Sequence, residues 1–213
     1  MKKKICIIGT GGFGREVLCC VIDIIGHTDR NINEFVSFMV SDQYFKESEI
    51  MGVGVIKQSQ FDPEKYETVV AIGEPDSRKK MVESLPLNTA FAKLIHPSAT
   101  VSTWVKIGEG SIITAGCILT SNIKLGNHTH LNLHTTIGHD CIIGDYFTTA
   151  PGANVSGSCN FGNNIYLGTG SAIKQNIHIC SDVTIGMGAI VVKNITEAGT
   201  YVGSPAIKVN RDN

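Results

Sequence analysis

Charge is scarce in this chain of 213 residues: Asp, Glu, Lys and Arg make up 17% of it, the formal net charge is −1 and the pI is near 6.6. So neutral a chain has no basic face broad enough to hold nucleic acid, and the short start "MKKK" does not change that. Long apolar runs are missing too. The longest, "VLCCVID", falls far short of a bilayer span, and the N-terminus passes straight into a strand pattern without a cleavage site. No membrane partner and a cytoplasmic setting are therefore expected. The seven cysteines form neither a C-x-x-C pair nor the regular spacing of a disulfide framework, which implies reduced thiols. With little charge and a single Trp, much of the surface is free to pack against another subunit.

What is present is a core-forming 42% of hydrophobic residues, arranged with a strict period. From Ile95 to Thr196 a frame of six runs without insertion through 17 hexads, each opening on an apolar residue except at Thr149. The fifth place is small or apolar, as at Ala99, Ser111, Thr129, Thr135, Ala153, Ser171 and Ala189. Gly often holds the second place, and Asn or Asp often follows, residues that tolerate tight corners. Alternate residues of a strand share a face, so each hexad reads as a short strand plus a corner. Three sides close an 18-residue triangular coil, and stacked coils, roughly five and a half of them, bury an aliphatic column including Cys117, Cys141 and Cys159. An ice-binding solenoid would need ranks of repeated Thr, and only scattered pairs (135–136, 148–149) occur.

Before the prism, residues 3–25 read as strand, glycine-rich turn and helix: "KICIIG", "TGGFG", "REVLCCVIDIIG". Gly9, Gly11, Gly12 and Gly14 would let backbone N–H groups and a helix N-terminus approach an anion, or else serve only tight packing. Further strands are expected at "EFVSFMV", "GVGVI" and "TVVAIG", then a helix from Pro75. The domains predicted are a small Rossmann-like α/β unit (1–94), the prism (95–196) and a C-terminal tail (197–213).

The order "GTGGFG", "LIHPSATVS", uninterrupted hexads and "YVGSPAIKV" resembles, over the whole chain, the sialic-acid O-acetyltransferase and bacillosamine-type nucleotide-sugar N-acetyltransferase family. The resemblance implies a left-handed parallel β-helix, an acetyl-CoA co-substrate without a metal, and a homotrimer with interfacial active sites. Within "NLHTTIGHDCIIG" it makes His139 the general base and Asp140 its partner. An amine attacking a thioester must lose a proton, and a histidine, with an ordinary pKa of about 6.5, can take it near neutrality. Asp140 would hold the ring's tautomer and raise its basicity. The family often has Glu there, so Asp, one methylene shorter, leaves direct contact open. The resemblance assigns Gly157 N–H to the thioester carbonyl, where oxyanion charge develops, and gives Asn132 a role in orienting substrate or base. Thr148, Gly157, Thr169 and Met187 would lie along the acyl-CoA arm, and Gly11, Gly12, Phe13, Ser41 and Gly73 on the nucleotide-sugar side. This chain departs from the family at Phe13 and Thr148, where His is common, and at Val40 and Ser41, where Asp-Asp is common.

The reading is acetyl-CoA-dependent N-acetylation of a nucleotide-linked 4-amino-deoxy-sugar, for surface polysaccharide or glycan synthesis. Sugar O-acetylation, transfer of a longer hydroxyacyl group, or a non-catalytic sugar-nucleotide scaffold are the alternatives. Gamma-class carbonic anhydrases share the prism and bind zinc through three His, two spaced like His134 and His139, but Ser98 stands where the third is needed. His128 and His130 are expected to coat exposed corners, and His27, His96 and His178 to be structural or solvent-exposed.

Overall fold

The computed structural model describes residues 3–26 and 31–209. The N-terminal unit is a six-stranded sheet built from β1 (Lys4–Ile8), β2 (Val36–Val40), β3 (Glu49–Ile50), β4 (Val53–Lys57), β5 (Tyr66–Val70) and β6 (Ala90–Phe91), in the order β3-β4-β2-β1-β5-β6. All pairs are parallel except β3 with β4. Two helices, α1 (Gly12–Ile25) and α2 (Pro75–Glu83), complete it. Helix α1 buries Val17, Leu18 and Val21 at helical spacing against β1 and β2. It starts earlier than the apolar pattern suggests and takes in Gly12, Phe13 and Gly14. Gly14 lies so close to the Gly9 carbonyl that a Cβ there would overlap it. Within the turn, then, Gly9 and Gly14 serve packing, whereas Gly11 and Gly12 have nothing within 4 Å of where a Cβ would stand.

The prism follows as two-residue strands on three faces. The first face begins at Leu94–Ile95, the second at Thr100–Val101, the third at Lys106–Ile107. Each strand pairs in parallel with the one 18 residues on, as Ile112 does with His130, Ile118 with Thr136 and Lys124 with Ile142. The apolar hexad positions form one continuous core from Ile113 to Ile195, with Cys117, Cys141 and Cys159 inside it. At the corner between third and first faces, a ladder of side chains caps backbone donors. Asn127 accepts from Glu109 N–H, Asp145 from Asn127 N–H, Asn163 from Asp145 N–H, and Ser181 from Asn163 N–H. Consecutive coils approach so closely here that a Cβ on Gly108 would overlap the Gly126 backbone. Backbone cannot step aside as a side chain can. Gly108→Ala is expected to cost about 2–3 kcal/mol of stability, readable as a lowered denaturation midpoint.

The frame of six ends earlier than Thr196. Val183 pairs with Gly199 and Ile179 with Ile195, 16 residues apart rather than 18, because the chain takes four residues, not six, from Val191 to Ile195. The segment read as a tail is built into the fold. Gly199–Val202 extends the first face and turns back as an antiparallel strand at Ile207–Lys208, while Tyr201 and Ala206 pack on the end of the column.

The N-terminal unit sits on the first face. Ile112 and Leu94 of the prism belong to the same apolar cluster as Val17, Phe38 and Val69. His128 and His130 lie beneath it, 4% and 1% exposed, which corrects the expectation of exposed corners. His128 stacks on Tyr146 and meets the edge of Phe91, and His130 packs beside Phe13. Burial pushes the His128 pKa down to about 4.

Candidate active site

His139 and Asp140 occupy the corner between the second and third faces. Asp140 adopts a left-handed backbone (φ 60°), which turns the chain through the corner and presents both side chains to solvent. They are 63% and 50% exposed, and His139 Nδ1 lies 2.7 Å from Asp140 Oδ2, so the shorter aspartate does reach the ring. One coil below, Asn122 Nδ2 donates to Asp140 Oδ1 at 2.6 Å. The hydrogen bond from Asn122, then that with His139, hold the Asp140 carboxyl below the usual carboxylate range, so it stays ionised through the neutral range. With Nδ1 held by Asp140, Nε2 is the nitrogen left for chemistry.

One coil above stands Gly157. A Cβ there would lie 2.7 Å from both Cε1 and Nε2 of His139, so the glycine's bare backbone covers the ring from above. Along the capped corner, Asp145 N–H and Asn163 N–H are each taken by a side chain of the next coil. Gly157 N–H has no such partner among the described residues, since Gln175 above it supplies no cap. A proton acceptor and an uncommitted donor therefore adjoin at one exposed corner.

The other residues cluster elsewhere. Gly12, Phe13, Gly73, His130, Asn132 and Thr148 border a cavity of about 250 Å³ between the glycine-rich turn and the first face. Thr169 and Met187 stack 18 residues apart on the corner between first and second faces, with Met187 77% exposed. One whole face of the prism separates that corner from His139 and Gly157. A single chain does not bring the two groups together.

Residues 4–85 match the PglD N-terminal domain family. WeeI from Acinetobacter baumannii AYE superposes with a TM-score of 0.88 at 30% identity, covering 98% of this chain and 100% of that one. The acetyltransferase domain of PglB from Neisseria gonorrhoeae FA1090, known also in complex with acetyl coenzyme A, does so at 0.87 and 28% identity, with coverage of 98% and 100%. A GDP-perosamine N-acetyltransferase of Escherichia coli O157:H7 is 30% identical over 175 residues, covering 80% of this chain and 78% of the relative. The chain belongs to the bacillosamine-type nucleotide-sugar N-acetyltransferase family. Its prism is accordingly the left-handed parallel β-helix of hexapeptide repeats.

Seen as a member of that acetyltransferase family, the chain has several side chains already engaged. Ser41 Oγ donates to Gln58 and does not border the neighbouring cavity of Thr10, Arg15, Val40 and Tyr44. An acidic residue follows one place after Ser41, as Asp42, and is held by Ser59 N–H and Oγ. Asn132 Oδ1 accepts from Leu133 N–H, fixing its own corner. Thr148 is buried, donating to the Gly73 carbonyl at 3.0 Å and accepting from Arg78 at 2.8 Å, so it borders the cavity beneath the glycine-rich turn rather than the Thr169–Met187 corner. His96 bridges to Asp23 of α1, His134 and His178 are exposed, and His27 lies outside the described residues.

Two residues escaped sequence reasoning. Asn122 lies 18 residues before Asp140, and that spacing was its available signal. Asn122→Ala is expected to lower kcat roughly tenfold, the scale of one hydrogen bond to a charged group, with an unchanged KM for acetyl-CoA. Arg78 carries no periodic signal at all. Wholly buried, it donates from Nη1 to the Ile72 and Gly73 carbonyls and to His130, and from Nη2 to Thr148. Burial pushes its pKa down to about 9, and no carboxylate lies at ion-pair distance among the described residues.

Proposed function

We propose that the chain transfers the acetyl group of acetyl-CoA to the amino group of a nucleotide-linked 4-amino-deoxy-sugar, with His139 taking the amine proton. The observation that carries the reading is the stacking of His139, oriented by Asp140 and Asn122, on the uncapped Gly157 N–H. As the amine attacks, its proton passes to Nε2 and the carbonyl oxygen gathers charge beside Gly157 N–H; collapse expels CoA thiolate. The family supports acetyl-CoA as donor and a nucleotide sugar as acceptor. A role in surface polysaccharide or glycan synthesis and a cytoplasmic setting belong to the same proposal, and the uniformly free thiols of the described cysteines agree with a reducing compartment. Among the described residues no helix is long and apolar enough to cross a membrane.

The separation of the His139 corner from the Asn132 and Thr169 corner supports an interfacial site in a homotrimer, one copy supplying the base and the next the cavity wall. Light scattering should return a particle of three 22.9-kDa chains.

The test is thiol release from acetyl-CoA in the presence of UDP-, GDP- and dTDP-linked 4-amino sugars. Turnover with at least one of them, lost in His139→Ala, is expected. Release with hydroxyl sugars alone would replace N- by O-acetylation, and binding without turnover would leave a scaffold.

A further inference from the structure

One residue bordering the cavity under the glycine-rich turn carries a donor that nothing among the described residues uses. Arg78 Nη1 lies 3.0 Å from His130 Nδ1. A guanidinium has hydrogens to give and no lone pair to accept with, so Nδ1 must be the acceptor. Burial, reinforced by the adjacent cation, holds the His130 pKa well below its ordinary value and keeps the ring neutral. A neutral imidazole carries one proton, and here it has to be on Nε2. That Nε2–H is buried in a side chain 1% exposed, and it has no hydrogen-bond partner among the described residues. Orphaned buried donors are rare in folded proteins, and this one belongs to a residue that borders a cavity of about 250 Å³.

The charge around that cavity says what kind of acceptor fits. Arg78 is a buried cation with no ion-pair partner among the described residues, directly behind the ring. On the opposite wall, α1 begins at Gly12 with no capping side chain and no acidic residue in its first turn, so its positive end is uncompensated. Among the described residues, Glu16, exposed at the rim, is the one acidic side chain bordering the space. A negatively charged oxygen satisfies all three features at once.

We infer that His130 Nε2–H, fixed in this tautomer by Arg78, binds an anionic oxygen of the diphosphate in the nucleotide-linked substrate. The inference rests on the acetyltransferase reading and adds a specific contact to it. His130 is a binding residue; Arg78, which touches no substrate, is a positioning residue acting through it. Since the donor is a neutral imidazole, the contact does not weaken as pH rises through neutrality, unlike one made by a histidinium.

Nitrogen-15 histidine NMR on the whole protein tests this directly. His130 should show the Nε2–H tautomer with no titration between about pH 6 and 8, and its Nε2–H proton should move downfield when GDP, UDP or dTDP saturates the protein. Nucleotide binding that leaves this proton in place, or an Nδ1–H tautomer, overturns the inference while sparing the enzymatic reading. Failure of all three to bind overturns both. In calorimetry, His130→Phe should weaken the nucleoside diphosphate roughly 10- to 100-fold, leave coenzyme A within about twofold, and leave the nucleoside without phosphate unaffected. Equal weakening of nucleoside and diphosphate would assign His130 to packing alone. His130→Gln, which can still donate, should recover much of the loss; Arg78→Met should abolish the single tautomer in the NMR spectrum, and its persistence would remove Arg78 from the account.

Discussion

His139→Ala should lower kcat for acetyl transfer by about 10²- to 10⁴-fold, the usual contribution of a positioned general base. Affinities for acetyl-CoA and nucleotide sugar should stay close to those of the parent. The imidazole is 63% exposed and packs on no apolar core, so its removal should cost no more than about 0.5 kcal/mol of stability. Activity lost together with the denaturation midpoint would point to a structural histidine. A further check is the pH dependence: if the missing step is proton removal, raising the pH should recover part of the rate in the variant, because hydroxide can then accept the proton in the ring's place. A flat profile would remove His139 from that role.

Gly157→Ala should be nearly as damaging for a different reason. The added methyl would stand 2.7 Å from Cε1 and Nε2 of His139. That is too close for two carbons, and something must give. Where Gly108 faces backbone, Gly157 faces the free end of an exposed side chain, which can swing aside with little resistance. The expected result is therefore an intact fold, with a denaturation midpoint near that of the parent, and kcat reduced by about 10²-fold or more as the ring leaves the donor it must work beside. Normal turnover in a folded Gly157→Ala protein would break the link between the two residues on which the mechanism depends.

The period of six made the prism legible, because a repeat that holds its frame for a hundred residues leaves the chain one economical way to bury its aliphatic side. The vertical alignment of His139 with Gly157 and of Thr169 with Met187 follows from the same arithmetic. Local spacing could not show that Val191 to Ile195 is two residues short, since Ile195 and Thr196 still satisfy the pattern after a fashion. Nor could it show where the N-terminal unit sits. His128 and His130 read as corner residues until Phe13, Arg78 and Phe91 close over them. Arg78 itself was invisible for the complementary reason: its hydrogen-bond acceptors, the Phe147 carbonyl among them, lie far along the chain or in a loop, and no short motif records them. Periodicity reports what a segment does with its own neighbours, and docking joins segments that share no period.

The His139 corner draws on three successive coils and nothing beyond them: Asn122 from one, the His139 and Asp140 pair from the next, Gly157 from the third. In a stack where each layer touches only its immediate neighbours, such a trio is portable. The column can gain or shed whole layers above or below it and still deliver the same reactive edge. The length of the prism is thereby released from the demands of the reactive edge.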